Sequence, residues 1–348
     1  MRIIVDAMSG DNAPLEIIKG VGLAAAEYKS EQFTLVGNEE IIKKIAAEEN
    51  IDISDMEIVH TEGVISMHDD PLSIAKAKRD SSMGVALQLL ADGRGDVLVS
   101  AGNTGALFTG ASLIVRKMKG VLRPAIGTLM PFNPPVILLD SGANLVINEE
   151  NMEQFAHMGS AYMKKMYGLE SPRVGILNNG EEDCKGLELQ INSYKRLSED
   201  KDINFVGNIE GNRVMNDACD VLVTDGFTGN ILLKTVEGMG KMMLKIMKGI
   251  FYKNIISKIS ALMVKNSLGS VKRDFDPAEH GGAPILGVAK PVIKAHGSSK
   301  AKAFKSAIRQ AIQYVSSGVT EDIAADAKAF AEKKKAAKKA EENSEDNK

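Results

Sequence analysis

The stretch Val221-Leu-Val-Thr-Asp-Gly-Phe-Thr-Gly-Asn-Ile-Leu-Leu-Lys234 indicates the class of fold. It begins with an apolar strand over 221–223, continues with a glycine-bearing loop over 225–230, and ends in the first turns of a helix. This order is typical of α/β proteins. The glycines let the backbone approach an anion closely, and the free N–H groups of the first helical turn carry a partial positive charge. The stretch therefore predicts an anion-binding loop behind a buried strand.

The same pattern of a strand followed by a short glycine-bearing loop occurs at four other places in the chain. These loops cover residues 100–106, 140–144, 178–182 and 296–299. A single glycine loop would be weak evidence, because glycine also marks ordinary turns. In an open parallel sheet, however, loops that leave the carboxyl ends of strands lie along one edge. We therefore expect these loops to converge on one cleft.

Strand and helix patterns alternate along most of the chain. Strands are predicted over 3–6, 33–36, 58–60, 97–100, 126–130, 136–139, 174–177, 204–206 and 221–223, and helices over 15–28, 39–48, 81–91, 152–166 and 187–197. This alternation predicts a three-layer α/β/α fold with a mainly parallel sheet. The neighbouring strands 126–130 and 136–139 are separated by three prolines and are better explained as a hairpin. No repeat or linker divides the chain, so residues 1–320 are predicted to form a single domain.

Composition excludes several classes of function. The chain has 348 residues, 44% of them hydrophobic and 26% charged, and its net charge of 43 − 46 = −3 gives no reason to expect a nucleic-acid partner. Two cysteines fit a reducing cytosol. The five histidines never fall at metal-ligand spacing, so no metal site is expected. No stretch of about 20 uncharged apolar residues is present, which excludes a spanning helix. A cytoplasmic location is therefore expected.

The segment 232–270 differs from the rest of the chain. From Gly238 to Arg273 it has seven lysines and no acidic residue, in the pattern of two basic amphipathic helices. This pattern predicts a projecting helical hairpin whose apolar residues contact an anionic membrane surface; these residues are Ile255, Ile256, Ile259 and Leu262. The alternatives are packing in a dimer interface or in the core, or docking of an acidic partner. Residues 321–348 are rich in Ala, Lys and Glu and are expected to fray and become disordered.

Taken together, the loops resemble those of the bacterial phosphate acyltransferases. The resemblance rests on residues 6–14, 100–106, 140–144, 178–186, 225–230, 281–283 and 294–299, in order, and leaves only the tail uncovered. Two departures are visible: Ser9 replaces an expected glycine, and His280 replaces an expected aromatic residue. The resemblance implies a fold similar to the isocitrate dehydrogenase and phosphotransacetylase group, a homodimer, and peripheral attachment to the membrane.

The resemblance also implies a reaction between acyl-(acyl-carrier protein) and inorganic phosphate that yields acyl phosphate for phospholipid synthesis. Phosphate is partly dianionic near neutrality. A thiol has a pKa of about 8.5, so its thiolate is a good leaving group. Catalysis would then depend on positioning and on stabilising the oxyanion, without a cofactor. Direct transfer in a ternary complex is favoured over an acyl-enzyme on Cys184, because no histidine neighbours this cysteine in sequence.

Candidate site residues follow from the loops and from the resemblance. Lys185, Asn103, Asp225 and His296 are the predicted catalytic residues. Gly102, Thr104, Gly105, Gly142, Asn144, Asn178, Gly180, Gly229, Asn230, Gly297 and Ser298 are the predicted phosphate- and acyl-binding residues. On sequence alone, Lys185 is better explained as an exposed lysine paired with Glu181 or Glu182, and the resemblance reverses this interpretation. Asn103 could be a plain helix cap. Asp225 is expected to orient Lys185 or its own loop.

Three other functions remain open. A phosphotransacetylase would use acyl-coenzyme A, and a metal-dependent dehydrogenase of similar fold would need clustered aspartates that are not evident in the sequence. A peripheral membrane scaffold would use the hairpin alone and would form no acyl phosphate.

Overall fold

The computed structural model describes residues 1–254, 257 and 281–345, with side chains up to residue 335. The strands form two sheets. The first has seven strands in the order β3-β2-β1-β4-β12-β11-β5. Its strands are β1 (Arg2–Asp6), β2 (Gln32–Gly37), β3 (Glu57–His60), β4 (Val97–Ser100), β5 (Ala125–Ile126), β11 (Ala283–Leu286) and β12 (Val292–Lys294). The first five in this order pair in parallel, whereas β11 runs antiparallel to both of its neighbours.

The second sheet has five strands in the order β6-β7-β10-β8-β9. Its strands are β6 (Thr128–Met130), β7 (Val136–Leu139), β8 (Arg173–Asn178), β9 (Asn204–Glu210) and β10 (Val221–Val223). Only β6 is antiparallel, and it forms the predicted hairpin with β7. The predicted strand 126–130 is divided at Gly127, so that its two halves join different sheets. The chain thus passes from one sheet to the other within a single residue.

Helices cover both faces of each sheet. They are α1 (Leu15–Glu27), α2 (Glu39–Glu48), α3 (Ser82–Ala91), α4 (Thr104–Gly110), α5 (Glu149–Tyr167), α6 (Glu188–Glu199), α7 (Gly226–Phe251), α8 (Ala301–Ser317) and α9 (Val319–Glu345). A 3₁₀ turn (Pro71–Ala75) precedes α3, and a π-helical segment (Ala111–Arg116) continues α4. One buried apolar cluster runs continuously from β1 and β4 to β7, β8 and β10. The two sheets therefore share a core, and the mainly parallel α/β/α architecture predicted from the sequence is confirmed.

The local signals explain most helix boundaries. Side chains of Asn38, Ser81 and Asn148 accept hydrogen bonds from the first turns of α2, α3 and α5. Gly168 and Gly318 end α5 and α8 in the left-handed conformation that glycine adopts most readily. Strands β11 and β12 were missed in the sequence, because each has only three or four residues and β11 contains a proline.

Helix α7 begins earlier than the sequence suggested. It starts at Gly226, so the predicted loop 225–230 is the cap and first turn of a helix of 26 residues. The helix continues through the first half of the predicted hairpin. Ile255, Ile256, Ile259 and Leu262, predicted to contact a membrane, lie outside the described residues. No helix within the described ranges combines the length and the apolar character needed to cross a bilayer.

The tail that was expected to fray from residue 321 is helical over its described part. Helix α9 runs to Glu345 and packs against α5. Val319, Ile323 and Ala327 are buried, at the four-residue spacing of one helix face. Lys333 and Lys334 pair with Asp202 and Glu150. This short apolar stripe was not identified from the sequence, because many of the residues around it are charged.

Candidate active site

A cleft of about 630 Å³ opens between the two sheets, where the carboxyl ends of their parallel strands meet. Its polar lining includes Asp11, Thr104, Asn230, Lys234, Lys294 and His296. Ser141 of the loop after β7 also lines it. Four of the five glycine-bearing loops, together with the loop after β1, therefore share one cleft. The exception is the loop 178–186 after β8.

The start of α7 carries Asn230 to the cleft. Asp225 caps the helix, its carboxylate accepting from the Thr228 backbone N–H (2.9 Å) and hydroxyl (2.7 Å). An added Cβ at Gly229 would lie 2.0 Å from the Asp140 carbonyl oxygen, so only glycine allows this approach. Asn230 is exposed, and its side chain has no hydrogen bond to another described residue. Asn230 therefore offers a free amide, whereas Asp225 positions its own helix.

The loop after β7 is organised by one buried carboxylate. Asp140 accepts from the backbone N–H groups of Ile126, Gly142, Ala143 and Asn144, at 2.6–3.2 Å. The Asn144 side-chain amide donates to Asp140 (2.7 Å) and to the Pro124 carbonyl (2.8 Å). Both amide protons of Asn144 are therefore used inside the protein. We infer that Asn144 shapes the loop and does not bind phosphate directly.

In the loop before α4, too, some residues shape the loop and others line the cleft. The Asn103 side chain accepts from the Ala106 N–H and donates to the Ser66 and Met67 carbonyls. It therefore acts as a helix cap that also positions Met67, which lines the cleft. Gly102 and Gly105 allow close packing against Met83 and Pro71. Only Thr104 of this group lines the cleft, so we infer a positioning role for Asn103.

His296 lies at the cleft and is oriented by Ser298. The Ser298 backbone N–H donates to His296 Nδ1 (3.2 Å), which leaves the proton of the neutral ring on Nε2. Partial desolvation lowers the pKa of His296, and nearby lysines, including Lys234, act in the same direction. At neutral pH the imidazole is therefore a neutral donor. Gly297 also lines the cleft, whereas Ser298 supports the histidine.

The loop after β8 is separate from this lining. Asn178 donates to the Lys185 carbonyl (3.1 Å) and so closes the loop on itself. The Lys185 side chain lies against Gly180, and Glu181 pairs with Arg213 instead. Within the part of the chain that the structure describes, Lys185 has no ion pair with Asp225, Glu181 or Glu182. Its loop follows a strand adjacent to β10, so its catalytic role stays a prediction.

Three charged residues were not identified by sequence reasoning. Lys294 ends β12 and is 8% exposed, and burial lowers its pKa to about 8. Asp11 lines the cleft and favours the charged form of Lys294. Asp6 is fully buried and accepts from the Ser82 and Ser100 hydroxyls, each at 2.7 Å. The sequence does contain a signal for Lys294. This lysine directly follows the apolar pair Val292-Ile293 and is the first residue of the loop 294–299, which carries part of the family resemblance.

Comparison with known proteins gives the family. The sequence model of a family described as "Fatty acid synthesis protein" matches residues 1–322. The phosphate acyltransferase of Acetivibrio thermocellus is 46% identical over 309 residues, which cover 88% of this chain and 91% of the relative. The phosphate acyltransferase of Fusobacterium nucleatum is 44% identical over 311 residues, covering 89% and 94%. The chain belongs to the phosphate acyltransferase family.

Solved structures support the fold of this phosphate acyltransferase family member. A phosphotransacetylase from Streptococcus pyogenes matches with a TM-score of 0.58 at 15% identity, covering 90% of this chain and 94% of that one. A branched-chain phosphotransacylase from Enterococcus faecalis matches with a TM-score of 0.55 at 14% identity, covering 90% and 99%. At such identities the likeness establishes the phosphotransacetylase-like α/β fold alone. No group of three or more metal-ligating side chains is found in the described ranges.

Proposed function

We propose that this protein transfers a fatty acyl group from acyl-(acyl-carrier protein) to inorganic phosphate by direct attack in a ternary complex. The observation that supports this most strongly is the composition of the cleft. Lys294, His296 and Asn230 lie in the same hollow as the apolar side chains of Ile126, Leu129, Leu233, Val236 and Leu244. A phosphate and an apolar acyl chain can therefore occupy neighbouring parts of one cleft.

The polar lining suits an oxyanion. Asn230 provides an amide, His296 provides Nε2–H, and Lys234 and Lys294 provide ammonium groups. Lys234 forms an ion pair with Glu237, with 2.9 Å between Nζ and Oε2. A phosphate dianion held by such donors needs no general base to attack the thioester carbonyl, and the thiolate departs with little protonation. In this proposal the protein supplies position and charge stabilisation.

Lys185 and Cys184 give a test of the direct mechanism within a single loop. The family resemblance, and not the lining of the cleft, predicts a catalytic role for Lys185. On that role we expect Lys185→Ala to lower kcat at least about tenfold, because an ammonium stabilising transition-state charge contributes about 1.4 kcal/mol or more. Cys184→Ala should keep most of the turnover. Cys184 is exposed and has no hydrogen bond to a described histidine. Both variants should fold normally, since both side chains are exposed. Steady-state kinetics and mass spectrometry check this, and a trapped acyl group on Cys184 would refute direct attack.

The acyl-carrier protein would dock along α7. Lys234 and Lys241 line the cleft, and Lys245 and Lys248 continue outward on the exposed part of the helix. No acidic residue follows Glu237 in this helix, so the surface suits an acidic partner.

Charge reversal tests this docking surface. We expect Lys245→Glu with Lys248→Glu to lower kcat/KM for palmitoyl-(acyl-carrier protein) about tenfold or more at low salt, and less at high salt. Palmitoyl-pantetheine, a small uncharged donor, should react at an unchanged rate. Lys43→Glu with Lys44→Glu on α2 is the matched control, because these exposed lysines lie away from the cleft. An equal loss with both donors would contradict docking at α7.

The apolar part of α7 suggests further contacts. Met239, Met242, Met243, Ile246 and Ile250 are 45–59% exposed. Such a surface is suited to peripheral contact with a membrane or to a second copy of the chain, so both the membrane association and the homodimer remain part of the proposal.

A further inference from the structure

Three polar residues lie side by side below the cleft. Strands β1, β4 and β12 are adjacent, with Val5 opposite Val99 and Ser100 opposite Lys294. Asp6, Ser100 and Lys294 therefore form a row across three parallel strands at their carboxyl ends. All three are buried. A polar row of this kind is costly in a core unless its hydrogen bonds are satisfied.

The hydrogen bonds of this row are complete at Asp6 but not at Lys294. Asp6 accepts from Ser100 and Ser82. Lys294 Nζ donates to the Ala101 carbonyl at 3.3 Å and to the Ala295 carbonyl. An ammonium has three donors, and the third finds no acceptor among residues 1–254 and 281–335. Because Lys294 lines the cleft, this donor is available to a ligand there.

We propose that Lys294 is a catalytic residue that binds the attacking phosphate at the base of the cleft, through the ammonium donor that Ala101 and Ala295 leave free. This inference rests on the proposed function, because phosphate is the anion that the reaction requires. The two carbonyls fix the ammonium in place without neutralising it. The Ala101 and Ala295 carbonyls that hold it belong to the loops after β4 and β12, and the same two loops carry Thr104 and His296 to the cleft.

The charges around Lys294 make phosphate binding depend on pH. Burial is the main cause that lowers its pKa to about 8; Asp11 and Asp6 oppose this shift, and Lys234 of α7 contributes to it. His296 is the remaining titratable neighbour on its own loop, and its pKa is lowered. In the empty cleft, Lys294 therefore loses its proton as the pH rises through about 8. A bound dianion favours the charged form, so phosphate binding above this pH should take up a proton.

The first test is the pH dependence of kcat/KM for inorganic phosphate, with palmitoyl-(acyl-carrier protein) as donor. In the wild type it should fall about tenfold per pH unit above pH 8. Lys294→Met and Lys294→Gln should lower kcat/KM for phosphate roughly 10- to 100-fold at pH 7, because each variant loses a hydrogen bond from a charged group. Both variants should also lack the decline of kcat/KM above pH 8. KM for the acyl donor should stay within about twofold. Lys290→Met, at an exposed lysine two residues before β12 begins, is the matched control.

The second test is calorimetric titration with inorganic phosphate at pH 8.5 in buffers of different ionisation enthalpy. The wild type should take up more than about half a proton, since a group of pKa about 8 is mostly neutral at this pH. Both variants should take up almost none.

Two results would overturn the role of Lys294: unchanged phosphate binding in both variants, or a loss shared by both substrates with the alkaline decline retained. The second result would mean that Lys294 only ties two loops together. If the wild type forms no acyl phosphate, the proposed function fails, and the titration still decides whether Lys294 binds phosphate.

Discussion

Replacing Asp140 with alanine is expected to lower the free energy of unfolding by about 4 kcal/mol or more, because several buried N–H groups lose their acceptor at about 1–3 kcal/mol each. Asp140 is fully buried and accepts from four backbone N–H groups and from the Asn144 amide. No other carboxylate in the described structure substitutes for it at this loop. Activity should be lost along with stability, because the same loop supports α7 and Asn230.

Urea unfolding measures this effect. Asp140→Asn should fall between the wild type and Asp140→Ala, because one oxygen still accepts while the new amide faces the Asn144 donors. Asp55→Ala is the control at an exposed aspartate and should change stability by less than about 0.5 kcal/mol. If Asp140→Ala were as stable as Asp55→Ala, the loop would not depend on this carboxylate, and the account of its architecture would be wrong.

Gly229→Ala is expected to have the second largest effect. The new Cβ would lie 2.0 Å from the Asp140 carbonyl oxygen, so α7 or the loop must shift. Overpacking of this kind costs about 3 kcal/mol. A shift of about 1 Å in a positioning element can also lower kcat/KM about 100-fold. Because Asn230 is the next residue, we expect the activity to fall more than the stability suggests.

Gly238→Ala provides a matched control in the same helix. An added Cβ there meets no atom within 4 Å, and alanine favours a helix interior by about 0.5–1 kcal/mol over glycine. The two substitutions should therefore change the thermal midpoint in opposite directions. A Gly229→Ala variant with wild-type activity would show that the close approach of α7 to the loop after β7 is not needed for the site.

Much of the fold could be predicted from the sequence because its signals are local. Buried parallel strands appear as short apolar runs, and caps such as Asn148 and glycine ends such as Gly168 mark the helix boundaries. The convergence of the loops followed from the topology of parallel sheets, and it brought Thr104, Asn230 and His296 together.

The site was less predictable, because a residue type does not reveal its hydrogen-bond partners. Asn103, Asn144 and Asn230 look alike in sequence, yet only Asn230 keeps a free amide in the described structure. Lys294 was missed since its burial depends on strands β4 and β12 meeting across nearly 200 residues. The loop containing Lys185 was expected in the cleft, but it follows a strand farther from the first sheet.

The most direct test of the central claim is an assay of the purified protein with palmitoyl-(acyl-carrier protein) and inorganic phosphate. We predict release of the free carrier thiol that depends on phosphate and is matched one to one by palmitoyl phosphate. Acetyl-coenzyme A should be a poor donor in the same assay. Thiol release that does not depend on phosphate, or a clear preference for acetyl-coenzyme A, would contradict the account.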